Sequence, residues 1–373
     1  MRVVSVSVRD FRGYARATAT LGEQLTVVHG PNGAGKTNLL EALYFGCTGR
    51  SCRTANDREL VRFGERASRV TVRALAPDGE HELAVGFAPG EAKRMSVDGA
   101  PVERLLDHDQ RPLVGVFLPD RLELIKGVPA LRRAHLDQLV VALWPSRAGT
   151  RRAYGQALAQ RNALIARLRA SGSTGRAAGA LAAWDTQLAR AAIALIADRR
   201  EAAALLSEPF ARAAARLGLD GDPEVAYRPR SHAPDETAMT AELSERTERD
   251  LERGFTTHGP HRDDLAISRA GRELRTYGSQ GQQRLGLLAL LLAESEVIGD
   301  HRPSRPVMLL DDVMSELDGD RRAALVELLR DGGGQALITT TDLDHVPGAF
   351  EAGTARLAVE AGHLVQDAIA VAR

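Results

Sequence analysis

At 373 residues the chain can build one large domain or two ordinary ones, and 44% hydrophobic with 26% charged residues is the content of a globular protein. Forty-nine basic residues balance forty-nine acidic ones, so any attraction for nucleic acid must be local. Two cysteines make no disulfide framework, the apolar run Leu285 to Ala293 is too short to span a bilayer, and the N-terminus lacks a signal-peptide pattern, which predicts a cytoplasmic protein with no membrane contact.

The chain opens with alternating Val4, Val6 and Val8, a strand, and turns through Asp10 to Tyr14. Leu25-Thr26-Val27-Val28-His29 is a short β-branched run suited to a buried strand. Directly after it comes Gly30-Pro31-Asn32-Gly33-Ala34-Gly35-Lys36-Thr37, a full match to the P-loop pattern G-x-x-x-x-G-K-T. Leu39, Leu40, Leu43 and Tyr44 then mark one face of a helix. Glycines at a strand-to-helix turn let backbone N–H groups close around phosphate, and the helix start adds a favourable dipole of only about 0.3–1 kcal/mol. That is too weak for a triphosphate alone. Lys36 is expected to add a full charge, and Thr37 a hydroxyl ligand for Mg²⁺.

A polar loop with Arg50 and Arg53 follows, then a β-meander through Val70 and Val72, Leu83 to Phe87, and Met95 and Val97, with turns at 77–79, 89–90 and 98–99. Pro112 to Leu118 reads as a buried strand. From about residue 120 the texture is helical. Tyr154, Leu158, Ile165 and Leu168 form one stripe, a linker at 171–175 ends it, and Leu181 to Leu206 form a second, giving a short antiparallel arm. An acidic connector spans 218–257. After a hairpin at Ala270-Gly271 come Ser279-Gln280-Gly281-Gln282 and a long apolar helix, then the strand Pro306 to Leu310 ending in Asp311-Asp312, and a last short strand closing in Thr339-Thr340-Thr341. This predicts an α/β fold with domains at 1–119, 120–257 and 258–373, the first and third composing one nucleotide lobe around a helical lobe.

An apolar strand ending in two carboxylates supplies the second half of a P-loop site: Asp311 to hold Mg²⁺, Asp312 as general base toward water. The plain alternative for such a pair is a helix cap. Ser279, Gln280, Gly281 and Gln282 open a helix and so offer a second anion cradle, whose natural ligand is the γ-phosphate of an ATP held by a second copy of the chain; the alternative is again an ordinary N-cap. Charge is uneven along the chain. Seven arginines face three acids from Arg50 to Arg73, six face none from Arg147 to Arg169, and ten acids face four arginines from Asp220 to Glu252. Each basic run is either a solvated face or a DNA contact.

The P-loop, the Ser-x-Gly-x-Gln signature, the Asp-Asp strand and Ser315-Glu316-Leu317-Asp318 resemble ABC-type ATPases of the SMC-like group. Within that group Phe11 to Tyr14, 49–54, Lys126 to Arg133, Gln160 to Asn162 and Gly259 to Asp264 resemble the RecF family of bacterial DNA replication and repair proteins, in order along the whole chain. The resemblance implies an ABC-type lobe with a helical second lobe, ATP and Mg²⁺ as ligands, an ATP-dependent homodimer, slow DNA-dependent hydrolysis, binding to gapped or junction DNA, and RecR and RecO as partners in recombinase loading. Arg50, Arg53, Arg151 and Arg152 are the DNA contacts expected from the basic runs. The chain departs from that family's pattern in carrying Leu291 where a lysine is usual. It has no switch histidine, for which Thr340 is the replacement expected, and Gln110 is a poor match to a Q-loop glutamine. The rival reading is a nucleotide-binding subunit of an ABC transporter, which would share both phosphate cradles.

Overall fold

A computed structural model describes residues 1–119, 122–171 and 177–366. In chain order its elements are β1 (Arg2–Phe11), β2 (Tyr14–Thr20), β3 (Leu25–His29), α1 (Lys36–Thr48), β4 (Ser68–Ala76), β5 (Gly79–Phe87), β6 (Arg94–Val97), β7 (Ala100–Val102) and β8 (Val114–Phe117). There follow α2 (Glu123–Lys126), α3 (Pro129–Leu143), α4 (Ala148–Ala170), α5 (Ala177–Arg216), β9 (Glu224–Arg228), α6 (Glu236–Glu245), α7 (Thr247–Arg253), β10 (Asp264–Arg269), β11 (Arg272–Glu273) and α8 (Leu274–Tyr277). The chain closes with α9 (Gln280–His301), β12 (Val307–Leu310), α10 (Gly319–Asp331), β13 (Ala336–Thr340), β14 (Thr354–Glu360) and β15 (His363–Gln366). The linker expected at 171–175 lies, except for Ser171, outside the described residues.

The chain divides into two compact units. The first comprises 1–121, 216–219 and 287–373, the second 122–215 and 220–286. The division falls inside α9, so the segment 258–286, read from the sequence with the nucleotide lobe, belongs to the second unit.

In the first unit an antiparallel sheet runs β2-β1-β4-β5-β6-β7, which contains the expected meander. A bulge between Val3 and Ser5 resets the alternation of β1, which is why Val3, Val6 and Val8 are buried and Val4 is not fully so. The Asp98-Gly99 turn joins β6 to β7 with both residues at positive φ, the geometry of a type I′ hairpin. The second sheet runs β15-β14-β3-β13-β12-β8, parallel from β14 to β8. Helix α1 packs against β1, β4 and β5 of one sheet and β8 and β13 of the other. It is therefore buried on more than one face: Phe45 and Cys47 join Leu39, Leu40 and Leu43 in the core. Gly46 is required there, because a Cβ would stand 2.4 Å from Val72 of β4.

The second unit holds the arm. Tyr154 and Ala157 of α4 pack on Leu188 to Ile196 of α5, while Ile165, nearer the end of α4, packs on Leu181, so the two helices run antiparallel as expected. Helix α5 is long and apolar enough to cross a bilayer, yet its apolar face is covered by α4 and α6, and Asp185 and Arg199 lie buried in it. The acidic connector is ordered. It supplies β9, which pairs antiparallel with β10, and the helices α6 and α7.

Candidate nucleotide-binding site

Strand β3 delivers the P-loop. Gly30 sits at φ +148°, and a Cβ on it would stand 2.2 Å from the Val359 carbonyl of the neighbouring β14, so only glycine lets the loop leave the sheet edge here. Gly35 precedes α1 at φ +118° with no side-chain cap, and the first turn carries no acid. The N–H groups at this helix start therefore have no capping side chain of their own, the arrangement an anion needs. Lys36 is only 7% exposed and its ammonium donates to the carbonyls of Gly30 at 2.7 Å and Pro31 at 3.0 Å. Burial lowers its pKa, and the charges of Asp312 and Asp311 act the other way.

The parallel order β3-β13-β12 brings the two distant motifs together. Thr37 Oγ1 lies 2.9 and 3.0 Å from the two carboxylate oxygens of Asp311. The Asp311 pKa is raised, first by burial, against the hydrogen bonds from Thr339 and Thr37. Asp312 adopts a left-handed backbone (φ 43°), an uncommon conformation for a non-glycine residue and one found at functional sites. Its Oδ1 is buried with no partner among the described residues. A hydroxyl beside a carboxylate is an oxygen donor set suited to a hard cation such as Mg²⁺. With the uncapped helix start and the unbonded Asp312 oxygen, these residues fit a Mg²⁺–nucleotide.

Thr340 does not face this cluster. Its hydroxyl donates to the Asp342 carbonyl at 2.8 Å and accepts the Asp342 N–H, closing a local turn. The neighbour Thr339 faces the cluster instead: its hydroxyl donates to Asp311 Oδ1 at 2.7 Å and accepts the Asp312 N–H at 2.9 Å. Successive residues of a strand point to opposite faces, so one position separates the two roles.

Comparison with known proteins places this geometry in a family. A family profile described as an AAA domain matches residues 5–96. The DNA replication and repair protein RecF of Myxococcus xanthus (strain DK1622) is 40% identical over 375 residues, covering 98% of this chain and 97% of that protein. The chain belongs to the RecF family. The solved structure of the recombination mediator protein RecF with ATP, of the RecFOR pathway, matches with a TM-score of 0.82 at 27% identity over 98% of each chain. An Smc head bound to the C-terminal winged-helix domain of ScpA matches at 0.62 and 15% identity over 99% of this chain and 98% of its own, a likeness of fold alone. The ABC-type ATPase fold expected from the sequence is therefore the fold of this RecF-family chain.

The signature residues of this family member lie in the second unit. Ser279 and Gln282 form a reciprocal capping box at the start of α9: the Ser279 hydroxyl accepts the Gln282 N–H at 3.3 Å, and the Gln282 side chain accepts the Ser279 N–H at 2.9 Å. The N-cap alternative thus describes the local geometry. Ser279, Gln280 and Gly281 remain exposed around it.

The candidate DNA contacts separate into two kinds. Arg50 and Arg53 are both exposed and line an open hollow of about 380 Å³. Arg53 is tied back to α1 through Asn38 at 3.1 Å and the buried Glu41 at 3.3 Å. Glu41 also holds Arg12 in a bidentate pair at 2.8 and 2.9 Å, which joins the Phe11 to Tyr14 turn to the P-loop helix. Lys93 completes the hollow, donating to the Gly49 carbonyl at 2.7 Å and pairing with Asp57 at 2.8 Å. Nothing in its own stretch of sequence marks it.

On the arm, Arg152 is exposed, and Arg151 is exposed while pairing with Asp137 at 3.1 Å. Arg161, which lies in the same acid-free run from Arg147 to Arg169, does not share their exposure. Its side chain is fully buried, donating to Asp185 and Asp250 at 2.6 Å each and to Thr256 at 2.8 Å. Arg147 likewise pairs with Asp198 and Glu201. The arm stretch lacks acids of its own, and other segments provide them.

Proposed function

We propose that this RecF-family chain is an ATP-dependent DNA-binding protein of recombinational repair and replication. In this reading ATP drives formation of a homodimer that closes on gapped or single-strand/duplex junction DNA and helps load recombinase in the cytoplasm, with RecR- and RecO-type proteins as partners. The observation that carries it is the contact of Thr37 with Asp311, which joins the P-loop to the acidic strand in the arrangement a nucleotide switch requires. Bound ATP with Mg²⁺ would supply the transferable phosphoryl group and the counter-charge for it.

Gly30, Pro31, Asn32, Gly33, Ala34, Gly35 and Lys36 hold the phosphates through backbone N–H groups and one ammonium, and Thr37 with Asp311 presents oxygens to the metal. Asp312 Oδ1 accepts the proton of water, and Thr339 keeps both acids in place. An aspartate reaches less far than a glutamate, which favours slow turnover and a switch rather than a motor. Ser279, Gln280, Gly281 and Gln282 act on the nucleotide of the partner subunit. Arg50 and Arg53 are the stronger DNA contacts, because Arg53 is bonded to α1 within one turn of Thr37; Arg151 and Arg152 follow. A transporter subunit belongs to a different family from the one this chain matches over its length.

The test is native mass measurement with ATP, ADP or no nucleotide. Moving a population from 1:99 to 99:1 takes about 5.5 kcal/mol, within reach of two γ-phosphates that each gain a few charge-assisted bonds of about 1.5–3 kcal/mol. The wild type dimerises with ATP and not with ADP, and Ser279→Arg binds ATP but stays monomeric. A Ser279→Arg dimer of normal strength would sink the shared-site reading.

A further inference from the structure

We propose that Phe63 is a stacking platform for an unpaired nucleobase at a single-strand/duplex junction. The proposal rests on the DNA-binding reading above and adds to it the element that distinguishes a junction from plain duplex.

Phe63 is the most exposed large apolar side chain among the described residues, at 101%, ahead of Tyr277 at 67%. Tyr277, Phe350 and Phe255 each lie beside an arginine of their own surface, at 5.4–5.8 Å from ring centroid to guanidinium. Phe63 has no such neighbour among the described residues. It is also not at the end of a loose loop. The Glu65 N–H donates to the Arg62 carbonyl at 2.9 Å and Gly64 takes φ +86°, so Phe63 occupies the outer corner of a tight turn. The base of that turn is fastened to the first sheet. Val61 bridges to Phe11, the Arg62 N–H donates to the Asp10 carbonyl at 2.9 Å, and the Arg62 guanidinium binds Asp10 at 3.1 Å and Glu65 at 2.8 Å.

A single exposed hydrophobic residue needs no special explanation. A ring fully presented on a pinned turn is a different matter, and its surroundings decide what it meets. A protein-docking site is a contiguous apolar patch, whereas the turn around Phe63 consists of Arg62, Gly64, Glu65 and Arg66. The exposed Arg58 and Arg66 lie on either side of it in sequence, and the neighbouring acids Glu59 and Glu65 pair with Arg12 and Arg62 instead. One flat apolar face on a turn whose exposed sequence neighbours include Arg58 and Arg66 suits a base with its phosphates alongside. Stacking of this kind tolerates every base, so it would read the presence of an unpaired base and not its identity.

The experiment measures binding of the full chain with ATP to a gapped duplex and to blunt duplex of equal length, with 2-aminopurine as the first unpaired base of the gap. Phe63→Ala, an exposed position whose truncation removes no packing, should weaken gapped-DNA binding by about tenfold, in the range of one base stack, and leave blunt duplex within about twofold. Wild type should quench the 2-aminopurine fluorescence, and this quenching should disappear with Phe63→Ala and persist with Phe63→Trp. Wild-type discrimination and quenching in Phe63→Ala would overturn the stacking role, and so would an equal loss on both DNAs. In either case binding by the wild type leaves the DNA reading standing, whereas a wild type that binds neither DNA overturns both.

Discussion

Arg161→Met separates a structural arginine from a DNA-binding one. The guanidinium is completely buried and binds two carboxylates that are themselves buried, Asp185 and Asp250, at 2.6 Å each. Removing it leaves two acids out of water without a counter-charge. Burial already raises the Asp185 pKa, with Arg161 holding it down, so the variant forces protonation or local opening. Breaking a buried pair from one side costs about 3–5 kcal/mol, a large part of a typical stability of about 5–15 kcal/mol. At an m-value of about 2–3 kcal/mol/M the urea midpoint falls by about 1–2.5 M. The readout is clean, because both tryptophans, Trp144 and Trp184, lie in the second unit and report its unfolding. In parallel, DNA affinity is measured across a salt series below the transition. Arg161→Met should leave the log–log slope unchanged, while Arg50→Ala combined with Arg53→Ala should lower it by about 0.9 for each phosphate no longer neutralised. A variant with wild-type urea midpoint and a flattened salt slope would refute the buried assignment and return Arg161 to the DNA surface.

Two further outcomes follow from the sites themselves. Asp312→Asn should bind ATP and dimerise but release phosphate at least about 100-fold more slowly, the usual contribution of a general base; near-normal turnover would move the base to another residue. His261 is held neutral, its pKa pushed down to about 4 chiefly by burial, with Tyr154 donating to Nδ1 and Nε2 donating to the Thr256 carbonyl. The unfolded chain takes up this proton near pH 6.5 and the folded one only near 4, so stability contributed by neutral His261 is present at pH 7 and lost as pH falls between those values, by about 3 kcal/mol. Urea midpoints from tryptophan fluorescence at pH 7 and 4.5 should therefore converge for His261→Asn relative to wild type, and an unchanged pH dependence would exclude this histidine as its source.

The features legible in the sequence are those whose physics is local. A P-loop is eight consecutive residues, the meander announces itself by alternation and turn residues, and the Asp-Asp pair ends an apolar strand. What escaped depends on pairing between distant segments. Thr339 rather than Thr340 supports the acids because β13 lies beside β12 with Leu310 opposite Ile338, a register no single strand records. Arg12 and Arg53 share Glu41 only because the β1–β2 hairpin and the loop after α1 meet above that helix.

Arg161 gives the sharpest form of the same limit. Six arginines in a stretch without acids suggest an exposed cationic face, because charge summed along a chain measures charge facing water only when partners are near in sequence. A buried cation reverses that logic. It must find its carboxylates wherever the fold brings them, here 24 and 89 residues away, and the acids it uses come from a helix and from the connector that looked merely acidic. Local imbalance between a basic stretch and an acidic one is therefore as much the signature of two segments that neutralise each other in the core as of a surface waiting for DNA. What separates the two is apolar company at helical spacing. Arg161 lies between Leu158 and Ile165 on the buried stripe of α4, whereas Arg152 lies off it and remains exposed.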